Sequence, residues 1–172
     1  MSYWLDSDVL IFAKDTIAPI GYAEFAGFWE MIERNMEAGI IKITKRNFRE
    51  ITENRDREDD LAKWLKVRKG KGIGVPPTKE VQAFAAKIGD YVYSNPRFYQ
   101  RHRDRFSQGA DPWLIAQAAI EGGTVVTREI PHPDGHAPKI PDLCIQFRVK
   151  FISLIDMMKT LGNQKPSARG KK

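Results

Sequence analysis

Four acidic residues stand where a short apolar run ends or a helix begins: Asp6 in YWLDSDVLIF, Glu50 in TKRNFREI, Asp111 in GADPWLIAQAA and Glu129 in GGTVVTREIP. Acids at the carboxyl ends of parallel strands point into the crevice where open α/β sheets bind ligands. Carboxylates gathered there repel one another: two unit charges about 4 Å apart interact by about 4 kcal/mol at an effective dielectric of about 20. A hard cation such as Mg²⁺ or Mn²⁺, which prefers oxygen ligands, offsets that repulsion. Such a set suits metal-assisted hydrolysis, in which a metal-bound water of lowered pKa attacks and no Ser, Cys or His nucleophile is needed. Each acid also has a structural reading. Asp6 and Asp8 suit the cap of the next helix, Glu50 and its neighbour Glu53 a solvated helix face, and Asp111 before Pro112 an N-cap and N1 pair. Glu129 precedes a proline-rich loop, where a plain exposed side chain is the competing reading.

The elements that must position these acids follow from hydrophobic spacing. Residues 3–5 read as a short buried strand, residues 9–14 as a helical turn, and residues 24–38 as a helix with Phe25, Phe28, Trp29, Ile32 and Met36 on one face, stopped by Gly39. A brief strand over 40–43 precedes a helix that Thr44 caps and that carries Phe48 and Ile51. Residues 59–67 form an amphipathic helix, and RKGKGIGVPP (68–77) reads as a break, a hinge or flexible loop that lacks the phosphate-loop pattern. Thr78 caps a long helix that stops near Asn95 and Pro96. Helix WLIAQAAIEG, strand 124–127, a helix from Asp142 to Phe147, strand 149–152 and a closing helix from Ser153 to Leu161 complete the chain. Short apolar strands alternating with amphipathic helices predict an α/β fold, a mostly parallel sheet covered by helices on both faces.

At 172 residues, with 42% hydrophobic and 10% aromatic residues, the chain is long enough for one folded domain with a real core. We expect a single domain over 1–162, with a helical, basic, insert-like stretch at about 68–108, and a flexible basic tail over 163–172. The formal charge is +6, but Lys165, Arg169, Lys171 and Lys172 sit in that tail, leaving the body at about +2. The tail suits either attraction of a polyanion or a merely solvated terminus. Cys144 is the only cysteine, so no intrachain disulfide forms and a reducing cytoplasm is the expected home. Its apolar setting, IPDLCIQF, marks it as a buried small hydrophobe rather than a nucleophile. No signal-peptide pattern or membrane-length apolar run is seen, so no membrane partner is expected.

The order of hhLDxxVLI, a helical acid after the second strand, ADxxLIAxA and VVTxE resembles the PIN-domain nucleases, and ADPWLIA (110–116) with KIPDLC (139–144) is similar to an uncharacterised PIN-like branch. The resemblance runs from Tyr3 to about Gly162. It implies a three-layer α/β/α domain that cuts RNA with Mg²⁺ or Mn²⁺, with Asp6, Glu50, Asp111 and Glu129 as catalytic metal ligands. Small members resembling the VapC type are toxins inhibited by an antitoxin protein and commonly form homodimers, so both partners are expected. Glu129 stands where the family usually has Asp; the extra methylene would trade direct ligation for contact through water. Asp8, Thr127 and Asp142 are second-rank candidates that add charge, hold a water or orient a ligand, though Asp142 reads more readily as a helix cap.

Other features extend or compete with this reading. The run PRFYQRHRDRF offers Arg97, Arg101, Arg103 and Arg105 to a phosphate backbone and Phe98 or Tyr99 to a base; an amphipathic helix with buried phenylalanines is the alternative. His132 and His136 have metal-like spacing, but Pro133 and Gly135 between them predict a loop. LDSDV also resembles the opening of haloacid-dehalogenase-like phosphatases, with Asp6 as nucleophile, Asp8 as acid/base and Thr127 and Lys139 in later roles, but the closing acidic pair is missing. A non-catalytic PIN-like module that binds RNA or protein is the third reading.

Overall fold

The computed structural model describes residues 1–53, 60–68 and 70–162. Among these residues four short strands, β1 (Tyr3–Leu5), β2 (Ile41–Lys42), β3 (Thr124–Val126) and β4 (Lys150–Ile152), pair in the order β2-β1-β3-β4, and each of these pairings is parallel. Tyr3 lies opposite both Ile41 and Thr124, and Val126 opposite Ile152, so the carboxyl ends of the strands share one edge. From β1 the chain goes to β2 on one side and later returns to β3 on the other. The β1–β3 junction is therefore the switch point at which open α/β sheets form a crevice.

Alternation along the strands sorts the core into two layers. Tyr3, Leu5, Ile41 and Val126 pack with α1 (Ser7–Phe12), α2 (Ala26–Glu37), α3 (Lys45–Thr52), α4 (Asp60–Lys66) and α9 (Leu154–Gly162). Trp4 and Val125 turn the other way, against α5 (Lys79–Ser94), α6 (Gln100–Gln108), α7 (Asp111–Ile120) and α8 (Ile140–Gln146). The result is the expected three-layer α/β/α arrangement. Leu5, Ile41 and Val126 are fully buried, each contributing about 1.5–3 kcal/mol by removal from water.

Thr44 and Thr78 cap α3 and α5 as their sequence context predicts, accepting from Asn47 N and Val81 N. Four details correct or add to the expected elements. First, residues 70–77 are docked, not a hinge: Gly72 donates to Met36 O at 2.9 Å and accepts from Ile43 N at 2.7 Å, and Val75 pairs with Thr44. A Cβ on Gly72 would lie 1.9 Å from the Ile41 carbonyl oxygen, so only glycine permits this approach. Second, within the insert-like stretch, Val81, Ala85, Ile88 and Val92 of α5 join the core with Leu114 and Ile115 of α7. Third, α8 starts at Ile140, two residues before Asp142. Fourth, the first helix begins at Ser7 and passes into a wider turn over Ala13–Ile17, closed by Ala18 N donating to Ala13 O. Asp59 and the tail 163–172 lie outside the described residues.

Candidate active site

Asp6 directly follows β1, and its backbone N–H still donates to Val126 O at 3.0 Å, which pins it at the β1–β3 junction. Its side chain is 7% exposed. Oδ2 accepts the Thr127 hydroxyl at 3.3 Å, and Thr127, 3% exposed, sits at the end of β3. Asp6 is in the N-cap position of α1 but makes no cap hydrogen bond, although the Asp8 backbone N–H lends its carboxylate some stabilisation. Burial pushes Asp6 up to about 7, with the nearby charges of Asp8, Glu129 and Glu50 adding to the rise.

Glu50 reaches the same region from α3 and is gripped at both oxygens: Ser7 Oγ donates to Oε2 at 2.7 Å and Ala110 N to Oε1 at 3.2 Å. Behind it runs a buried relay. Asn47 Nδ2 donates to Ser7 Oγ at 2.9 Å, while the Thr44 hydroxyl donates to Asn47 Oδ1 at 2.6 Å. Asn47 has no exposed surface, and Glu50 is thereby fixed in one direction. Sequence reading missed Ser7 and Asn47. The only local signal was the spacing of Thr44 and Asn47, which fits a helix-capping pair and says nothing of the partner 40 residues away. Glu53, the competing acid, is exposed and pairs with Arg49 at 3.3 Å.

Asp111 opens α7 rather than capping it, since Ala110 holds the N-cap position and makes no side-chain cap bond. Among the described residues nothing donates a hydrogen bond to the Asp111 carboxylate. It keeps part of its surface open to the cleft, yet lies deep enough that desolvation is the main cause of its rise to about 8. Asp6, Glu129 and Glu50 push in the same direction, and Lys139 opposes them.

Glu129 is tied down: Lys139 Nζ lies 3.0 Å from Oε1, and Ile140 N donates to Oε2 at 2.7 Å. It thus caps α8 from a distance, and that capping explains why the helix begins before Asp142. Asp142 instead accepts from His132 N at 3.0 Å and holds the intervening loop. Asp8 is exposed and pairs with Arg128 at 2.9 Å; that guanidinium stacks over the Phe12 ring.

Glu50, Asp111 and Glu129 line one cleft of about 860 Å³, together with Arg101, His102 and Arg105 of α6 and with Lys139. Asp6 does not line it but feels the charges of Glu50 and Glu129, and Asp111 feels that of Asp6. Two of the four expected phosphate contacts are engaged elsewhere. Arg97 Nη1 donates to Pro133 O, and Arg103 donates to Phe98 O at 2.8 Å and Tyr93 O at 2.9 Å. Phe98 is buried and cannot stack a base; Tyr99 is exposed and lies against His136, ring centroids 4.5 Å apart. Cys144 is buried, its thiol pushed up to about 12 by desolvation, which makes it inert as a nucleophile.

Among the described residues no group of three or more His, Cys, Asp or Glu side chains is gathered closely enough to hold a metal ion. The donor set nevertheless suits a hard divalent ion: it is all oxygen, and among the described residues no ion pair neutralises the buried carboxyl groups of Asp6 and Asp111. Asp6 and Asp111 would hold such an ion, with Glu50 oriented beside them.

The fold is PIN-like. It resembles that in the crystal structure of FitAcB from Neisseria gonorrhoeae, with a TM-score of 0.51 and 15% sequence identity over 87% of this chain and 96% of that one. No curated protein matches the sequence. The family described as "Domain of unknown function (DUF4411)" matches residues 3–164, and the chain belongs to that family.

Proposed function

We propose that this chain is a Mg²⁺- or Mn²⁺-dependent endoribonuclease, a cytoplasmic toxin held in check by an antitoxin protein. The observation that carries the reading is the joining of Asp6, Glu50 and Asp111 at the mouth of a parallel sheet, beside a wall of arginines. A bound divalent ion would supply an activated water and neutralise charge on the scissile phosphate. The protein's own contribution is placement. Asp6 is held by Thr127 and Glu50 by Ser7 and the Ala110 N–H, so both carboxylates are fixed in place before any substrate arrives. Arg101 and Arg105 present guanidinium groups, which match phosphate oxygens well, along one wall of the cleft.

RNA as the polymer, the antitoxin and a homodimer rest on the PIN resemblance; the likeness to FitAcB supports the fold that these readings require. The phosphatase alternative is disfavoured by Asp8, its required acid/base, which is exposed and paired with Arg128. Among the described residues no helix is long and apolar enough to cross a membrane. The test is cleavage of a labelled single-stranded RNA by purified protein with Mn²⁺. Asp6→Asn is expected to lose activity while keeping its circular dichroism spectrum; undiminished metal-dependent cutting by that variant would overturn the assignment.

A further inference from the structure

Two of the four arginines in PRFYQRHRDRF do not line the cleft, and what they hold instead is a set of aromatic rings. Arg103 donates to the Phe98 and Tyr93 carbonyl oxygens at 2.8 and 2.9 Å, and Arg97 donates to Pro133 O. The loop that carries Pro133 is tied to the start of α6 at two further points. Tyr99 N donates to His136 O at 3.0 Å, and His136 Nδ1 donates to Arg97 O at 3.1 Å. Asp142 holds the same loop at His132 N, 3.0 Å away. Tyr99 and His136 are therefore placed by the backbone on both sides.

These bonds set three rings face to face. Tyr99 lies 4.5 Å from His136 with their planes 12° apart, and 6.1 Å from His102 with their planes 22° apart. Tyr99 is 51% exposed and His136 is exposed, so the stack is no part of the core. A lone exposed tyrosine calls for no explanation, but three nearly parallel rings anchored by a braced loop do. The stack borders the cleft: His102 lines it beside Arg101 and Arg105, and so do Ala137 and Pro138, which follow His136. Among the described residues Arg101 and Arg105 are in no ion pair. Cations beside exposed parallel rings match single-stranded nucleic acid, whose phosphates meet the cations while an unstacked base meets a ring. Because the rings are held before binding, little ordering cost attaches to their use.

We propose that Tyr99, His136 and His102 form a stacking subsite for one nucleobase of a strand whose phosphates pass Arg101 and Arg105. This rests on the nucleic-acid reading above. The probes are a short labelled single-stranded RNA and its fully abasic counterpart, bound to the full chain and followed by fluorescence anisotropy. Ca²⁺ serves as the hard cation in place of Mg²⁺ or Mn²⁺. Tyr99 is the N-cap residue of α6 but makes no side-chain cap bond, so its replacement removes a ring and not a cap. The double variant Tyr99→Leu/His136→Ala is expected to bind the intact RNA about 5- to 100-fold more weakly, the range of one base–aromatic stack, with the abasic RNA unchanged. Tyr99→Phe, which keeps the ring, should bind both RNAs as wild type does. Intact RNA bound equally well by the double variant, or both RNAs weakened alike, overturns the proposal and leaves the nucleic-acid reading standing. No saturable binding of either RNA by wild type overturns both.

Discussion

At the scale of single residues the site is a contrast between acids that are fixed and acids that are left uncompensated. Glu50 is aimed by a relay through Ser7 and Asn47 to Thr44, whereas Asp111 has no donor among the described residues. Truncating Asn47 to Ala would strand the Thr44 and Ser7 hydroxyls in a buried place. We expect a loss of about 1–3 kcal/mol in stability by urea denaturation. Loosening an orienting partner of a ligand typically weakens metal binding by about 10–100-fold, so Mn²⁺ affinity of Ser7→Ala should fall in that range, beside a stability loss of about 1–3 kcal/mol from the stranded Asn47 amide. An unchanged affinity would mean that Glu50 is not a ligand or needs no aiming. Of the candidate acids, Asp6 follows β1 directly, whereas Glu50 and Asp111 lie on α3 and α7, so only element order along the chain hints that they meet. Ser7 and Asn47 were not legible, because their hydrogen bonds join residues about 40 apart in sequence and leave no local pattern.

At the scale of elements, helix starts set by local caps were readable, and those set by distant partners were not. Thr44 and Thr78 cap their helices through backbone groups three residues on, a pattern visible in any sequence. The start of α8 is fixed by Glu129, 11 positions upstream, so Asp142 was mistaken for the opening residue. The glycine segment misled in the same way. Gly72 looks like flexibility in sequence but serves close contact, with Ile41 and Met36 carbonyl oxygens within 3 Å of any added Cβ. Gly72→Ala must therefore shift backbone beside β2, and we expect thermal unfolding to show a loss of at least ~2 kcal/mol. A fully tolerated alanine would show that this strand edge yields easily.

At the scale of the whole molecule, the placement of Asp6 and Asp111 links stability to pH and to metal. Both carboxyls titrate higher in the folded chain, at about 7 and about 8, than the ordinary 3.8. The folded state then binds more protons than the unfolded state between about pH 4 and pH 8, and stability falls as pH rises through that window. In EDTA the Tm should drop from pH 5 to pH 8, and Mn²⁺ should restore it at pH 8 while doing little at pH 5. A Tm that is flat across the window, with or without Mn²⁺, would contradict the burial of uncompensated acids. The parallel sheet with two helical layers was legible from alternating apolar runs, but which layer α5 joins was not, since its pairing with α7 joins residues about 30 apart in sequence. The central claim is that the strand-end acids hold the metal of a hydrolytic site. The most direct measurement is anomalous diffraction from a Mn²⁺-soaked crystal. It should show a peak beside the Asp111 carboxylate at the inner end of the 860 Å³ cleft, on the side of Asp6; a peak bound elsewhere, or none at saturating Mn²⁺, would contradict the account.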